Sequence, residues 1–276
     1  MRATTATLLT LTLALGALAC EDRQVSLQIV QMNRVNPEAC EVTTAIEERL
    51  SIGRVDLAIA DSYSINPIVA NNLLRATEVK SFTVTDGRID THDILLKSAV
   101  IEYTALDQIQ APLQDTVVVP ISLTVPLNTT LAMGIEVLST AQLQLIRQSP
   151  EFLIFDSQNQ VRPVRTSARI IIRLRLRGET LDGKEIESNE FTFPVEVCNG
   201  CLVTYPPEAI DLTAGSVPNC RNLGEEDEET TTGLDGIAPG CFFVLGTDFN
   251  QVDCRDCQGF AVDSIARQLC QPPVTP

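Results

Sequence analysis

Nine cysteines and a single histidine are the side chains of this 276-residue sequence best suited to chemistry. Two pairs have C-x-x-C spacing, Cys198-Asn199-Gly200-Cys201 and Cys254-Arg255-Asp256-Cys257. A compact zinc ribbon sets its two pairs roughly 15–20 residues apart, whereas 52 residues separate Cys201 from Cys254. A redox dithiol needs a helix N-terminus or a nearby cation to hold its thiolate. Cys201 is followed by Leu202-Val203-Thr204-Tyr205-Pro206-Pro207, which reads as extended chain. Cys254 and Cys257 stand ahead of a stretch with helical character, residues 261–269, but Asp253, Asp256 and Gly259 are poor stabilisers of a thiolate. Structural disulfides are therefore expected of Cys40, Cys198, Cys201, Cys220, Cys241, Cys254, Cys257 and Cys270, with a thiol-redox role for the C-terminal cysteines as the alternative. Pairing cannot be deduced from spacing. Cys40 has no second thiol in its own part of the chain and is expected to reach the C-terminal part.

His92 lies in Asp90-Thr91-His92-Asp93, a polar connection. A Ser-His-Asp or Cys-His hydrolase would have to use it as the base. No G-x-S-x-G, P-loop or dinucleotide fingerprint occurs in the sequence. Neither an enzyme nor a cofactor is expected. Calcium is the metal that the acids favour, because it takes hard oxygen donors. The donors offered are Asp248, Asn250 and Asp253, together with the run at residues 225–227, although the glycine and terminal glutamate of an EF-hand loop are missing.

The chain opens with one positive charge, Arg2, and a twelve-residue apolar run at 8–19 diluted by Thr10 and Thr12. A membrane-spanning helix needs about 20 apolar residues, so this run reads as a cleaved signal. Ala17-Leu18-Ala19-Cys20 resembles the processing site of bacterial lipoproteins, with Ala17 where those usually carry Leu or Val. The resemblance covers the first twenty residues only. It implies Cys20 as the new first residue, carrying acyl chains (palmitate among them) on a membrane of the cell envelope, at the outer membrane or cell surface. At about 0.8 kcal/mol per buried CH₂, two or three such chains anchor stably. Lipid on Cys20 also leaves eight cysteines, an even set for an oxidising compartment. Ala17 and Ala19 equally suit an ordinary signal peptidase, which would release a secreted or periplasmic soluble protein.

Loss of residues 1–19 moves the net charge from −16 to −17, since it removes Arg2 and no acid. So acidic a chain repels nucleic acid and anionic headgroups. The expected partners are a membrane, through the N-terminal lipid, and an envelope protein. Trp is absent and aromatics make up 4%, which argues against a face built on aromatic stacking.

The elements expected to position these residues are mainly β. A signal peptide at 1–19, an antiparallel β-sandwich at 20–197 and a small disulfide-rich C-terminal module at 198–276, with an acidic loop at 224–236, make up the expected organisation. Few large apolar residues remain for the module, and disulfides worth roughly 2–4 kcal/mol each would stabilise it. Strands are expected at 25–30, 55–60, 94–103 and 116–125, the last at an edge or broken because Pro120 and Pro126 lack an N–H. Residues 61–76 read as an extended crossing and Asp86-Gly87 as a tight turn. A helix is expected over 140–147 with Ser139 as its cap and Pro150 beyond its end. From Arg169 to Arg177 basic residues alternate with Ile170, Ile172, Leu174 and Leu176, the period of a half-buried strand. Asp182-Gly183 suggests a two-residue type I′ hairpin. That register puts Leu174 opposite Phe191, Ile172 opposite Phe193, Arg175 opposite Glu190, Arg169 opposite Glu196 and Ile171 opposite Pro194.

Overall fold

The alternation at 169–177 becomes the longest strand among the described residues. The computed structural model describes residues 26–36, 38–73, 91–105, 109, 111, 113–155, 161–164, 166–210, 220, 245–248 and 250–272. In chain order the strands are β1 (Leu27–Met32), β2 (Gly53–Asp56), β3 (Tyr63–Ile65), β4 (Pro67–Asn71), β5 (Ile94–Ala105), β6 (Thr116–Val125), β7 (Thr130–Ala132) and β8 (Ile135–Leu138). They continue as β9 (Leu153–Phe155), β10 (Val161–Pro163), β11 (Ser167–Thr180), β12 (Glu185–Glu187), β13 (Phe191–Cys198), β14 (Val203–Thr204) and β15 (Val252–Asp253). The helices that matter for the site are α1 (Thr140–Arg147) and α2 (Cys254–Phe260).

The large sheet runs β2-β13-β11-β5-β6, with β12 added on β11. A smaller layer, β1-β4-β7 and β3-β8, shares one core with it. Ile170, Ile172, Leu174 and Leu176 of β11 have no solvent exposure. Leu27, Ile29, Val69 and Leu138 meet the same core from the smaller layer. α1 closes one end by burying Leu143 and Ile146. Its start is fixed by Gln142, whose side chain accepts from the Ser139 backbone N–H at 2.9 Å, the return half of a capping box. The fold is thus a mainly β sandwich. It is not wholly antiparallel: β2 joins β13 in parallel, as β14 joins β15. Long connections separate those pairs, so no tight turn dictates their direction.

β11 and β13 pair in the expected register: Arg169 faces Glu196, Ile171 faces Pro194, Ile172 faces Phe193 and Leu174 faces Phe191. Pro194 lies one residue ahead of the point where β2 joins β13. Nearer the turn the register is offset by one, Arg177 facing Glu187 and Glu179 facing Glu185. The loop therefore holds three residues, Leu181-Asp182-Gly183, instead of two. Gly183 at φ 87° supplies the left-handed position that such loops place last. The extra residue is taken up beyond β12. There Ser188 bonds Leu176 twice, its N–H donating to the Leu176 carbonyl and its hydroxyl accepting the Leu176 N–H, both at 2.9 Å. One consequence is that Arg175 pairs with Glu102 and with Glu187 (3.6 Å), while Glu190 lies 3.9 Å from Arg173. Such half-exposed pairs contribute under about 1 kcal/mol each.

β6 forms the edge of the large sheet, where the missing N–H of Pro120 is tolerated. Within the stretch expected as an extended crossing at 61–76, residues 61–73 are described and are not a crossing. They contain β3 and β4, and every residue of β4 is buried. A strand covered on both faces loses its alternation and gives no period-two signal. The Asp86-Gly87 turn lies outside the described residues.

Candidate functional site

Residues 56–60 belong to both parts of the molecule. Val55 and Leu57 pack in the sandwich core, whereas Ala58 and Ile59 pack in a second core with Val203, Ala209, Leu245, Val252, Leu269 and the cysteines of the C-terminal module. A chain reversal that serves two cores needs all its polar groups satisfied. The Asp56 carbonyl accepts from Ile59 (3.1 Å) and Ala60 (2.9 Å), and the Asp56 N–H donates to Gly246 (2.8 Å). The Leu57 N–H donates to the Cys198 carbonyl at 2.8 Å. Arg147, at the end of α1, donates from Nε to the Leu57 carbonyl at 2.9 Å. Burial pushes that guanidinium below its usual value, against the pull of Asp263, Asp61 and Asp56.

The Asp56 side chain is the centre of this junction and is fully buried. Its Oδ1 accepts the N–H groups of Gly200 (2.7 Å) and Ala58 (2.9 Å), and its Oδ2 accepts that of Leu202 (2.8 Å). Three N–H donors are what a carboxylate needs when it is taken out of water. Two of them come from the Cys198–Cys201 segment and the residue after it, a segment closed by a disulfide. Gly200 at φ 75° turns its N–H towards the carboxylate. Asn199 holds the other side, donating from Nδ2 to the carbonyls of Val164 (3.0 Å) and Phe152 (3.3 Å). A carboxylate oxygen of Asp56 and both sulfurs lie within 4.8 Å of one another. This looks like a metal ligand set, but the sulfurs are bonded to each other and so are not thiolates.

A second buried acid lies at the outer edge of β2. Asp248 has a positive φ of 52°, a conformation Asp tolerates better than most residues. Its N–H donates to the Arg54 carbonyl (2.6 Å), and its Oδ1 accepts the Tyr63 hydroxyl (2.7 Å) and the Arg54 N–H (3.2 Å). Burial raises the Asp248 carboxyl to about 6, and the bonds from Tyr63 and Arg54 only partly oppose that rise. Burial also pushes the Tyr63 hydroxyl well above its usual value, and the Asp248 charge adds to this. The acid opens on a cleft of about 230 Å³ lined by Ser62, Ser64, Asn66, Thr247 and Asn250.

Tyr63 fits because Gly53 has no side chain. A Cβ there would lie 2.1 Å from the Tyr63 hydroxyl oxygen and 2.9 Å from Phe193. Both neighbours are fully buried, so neither can swing away. Gly53→Ala is expected to destabilise the protein by about 2 kcal/mol through overpacking. Urea unfolding is the check, and a loss below about 0.5 kcal/mol would show that Tyr63 is freely displaced.

The expected sites are redistributed. Asp248 and Asn250 share the cleft, but Asp253 does not line it. Asp253 caps α2 through the Arg255 N–H at 2.9 Å and pairs with the Arg255 guanidinium, so the three expected calcium ligands are not gathered. The acidic run at 225–227 lies outside the described residues. His92 is half-buried in a turn, where its carbonyl accepts from Asn71 at 2.9 Å. Asp93 beside it accepts the Leu127 N–H at 2.8 Å.

The helix expected over 261–269 begins earlier, at Cys254. The later segment holds only a 3-10 turn, Ala266–Cys270. Asp253 was the available signal, since Asp is a strong N-cap residue. Cys254 and Cys257 lie in the first turn of α2, yet they do not pair with each other. Cys254 bonds Cys220 and Cys257 bonds Cys270. Cys40 is also disulfide-bonded, to a partner outside the described residues. Neither Asp56 nor Tyr63 had a motif in sequence to mark it. No family model, no curated protein and no solved structure matches this chain.

Proposed function

We propose that the chain is a non-enzymatic lipoprotein of the bacterial cell envelope, tethered through lipid on Cys20, with the sandwich and its stapled C-terminal module doing structural or partner-binding work. Cysteine usage carries the reading. Six of the nine cysteines pair among themselves and Cys40 is bridged. Cys20 and Cys241 remain, one as the partner of Cys40 and one left over. Heavy disulfide use suits an oxidising compartment, and lipid on Cys20 accounts for the odd residue. The acidic charge and the solvated, self-neutralised outer face of β11 suit an exposed protein. No helix of the described residues is long and apolar enough to cross a membrane.

A thioether-linked lipid uses up the Cys20 sulfur, so Cys40 must then be bonded to Cys241. Non-reducing peptide mapping of protein extracted from membranes should yield a Cys40–Cys241 peptide and an acylated N-terminal Cys20. A Cys20–Cys40 bridge, or an unmodified Cys20 in soluble material, would overturn the anchoring.

A further inference from the structure

We infer that Cys198–Cys201 is a redox-sensitive latch, a disulfide open to exchange with dithiols whose opening loosens the joint between sandwich and C-terminal module. The latch works in the same way wherever the chain is anchored. Three disulfides have both partners among the described residues. In two of them every cysteine is buried: Cys220 with Cys254, and Cys257 with Cys270. Cys201 is exposed, while its partner Cys198 has no exposure at all. Exchange requires a thiolate to approach a disulfide sulfur in line, so access decides which bridge reacts without prior unfolding. Among these three bridges only Cys201 offers such access, and it fixes the direction of attack.

The reaction balances with a dithiol as reductant. Its thiolate attacks Cys201 Sγ, a mixed disulfide forms as the Cys198–Cys201 bond breaks, and the electron pair leaves on Cys198 Sγ. That sulfur takes up one proton, because a thiolate would sit within 4.8 Å of the Asp56 carboxylate. The new thiol has an acceptor in place, the Val55 carbonyl at 3.5 Å. The second thiol of the reagent then displaces Cys201 Sγ, which takes a second proton, and the reagent ends as its own disulfide. The chain has gained two hydrogens. The consequence is structural, since the Gly200 N–H lies within the opened ring and the Leu202 N–H directly after it. Both are donors to Asp56, so opening the ring loosens two of the bonds that hold the buried carboxylate.

The test uses the full chain with graded dithiothreitol and rapid alkylation, followed by peptide mapping. Cys198 and Cys201 should be alkylated at least about tenfold faster than the cysteines of the two buried bridges. Alkylation of Cys220–Cys254 or Cys257–Cys270 at an equal or greater rate overturns the proposal. Hydrogen exchange of the selectively reduced protein reads the second half. The Gly200 and Leu202 amides should exchange at least about tenfold faster, with β5 and β11 still protected. The double variant Cys198→Ser/Cys201→Ser should show the same local change without reductant. Unchanged exchange at those two amides, in either form, overturns the latch even if the bridge is the first to be reduced.

Discussion

Asp56→Asn is expected to destabilise the protein by about 3–4 kcal/mol. The two Asp56 oxygens take three N–H donors in a site without solvent. An amide keeps one oxygen and turns an NH₂ group towards either Leu202 or the Gly200–Ala58 pair, so donor faces donor in the interior. Leaving a buried polar group unsatisfied costs about 1–3 kcal/mol, and more at a site built for charge. The check is urea unfolding at neutral pH, with an unchanged slope showing that the same surface is exposed. A loss under about 1 kcal/mol would mean that the junction tolerates a neutral acceptor and that the carboxylate is not its centre.

Asp248→Asn is expected to act in the opposite direction. The folded carboxyl titrates at about 6 against a usual 3.8. Between those pH values the folded state holds a proton that the unfolded state has released. Stability from this group is therefore fully present below about pH 4 and is lost as pH rises through about 6. The loss at neutral pH is about 3 kcal/mol, because each pH unit between the two values is worth about 1.36 kcal/mol. Asn keeps an oxygen for Tyr63 and Arg54, accepts the positive φ and has no charge to desolvate. Above pH 7 the variant should melt about 6–12 °C higher than the wild type, and the gap should close on acidification to about pH 4. A pH-independent difference between the two proteins would show that Asp248 is not the group that titrates.

Sequence reasoning reached furthest where a periodic signal met a facing one. In β11 the arginines alternate with apolar residues while β13 supplies Phe191, Phe193 and Glu196 in step. That agreement set the pairing even though the loop length was one residue out. α1 was legible through Ser139 and Pro150, local signals with local causes. β4 was not, because burial on both faces removes alternation, and β3 spans only three residues, too few for a period to show. Asp56 was invisible for a different reason: its acceptor role is set by donors 144 and 146 residues away, and no spacing in a single sequence encodes such a meeting. The cysteines were legible as a class and silent as pairs. Cys254 and Cys257 share a C-x-x-C spacing, yet each bonds a different partner.

The turn at 56–60 also has a consequence in time. A chain made from its N-terminus presents β2 and Asp56 early, but the strand that pairs with β2 and the amides that satisfy Asp56 follow roughly 140 residues later. The Ala58 N–H, two residues on, is a donor the acid can meet at once, whereas those of Gly200 and Leu202 come late. Ala58 and Ile59 meanwhile wait for a core that does not yet exist. Pairings at such separation close slowly, because the loop entropy is spent before any contact repays it. The joint between the two parts is thus late to set: Asp56 waits for residues 198–202, and Ala58 and Ile59 wait for partners as far along the chain as Leu269.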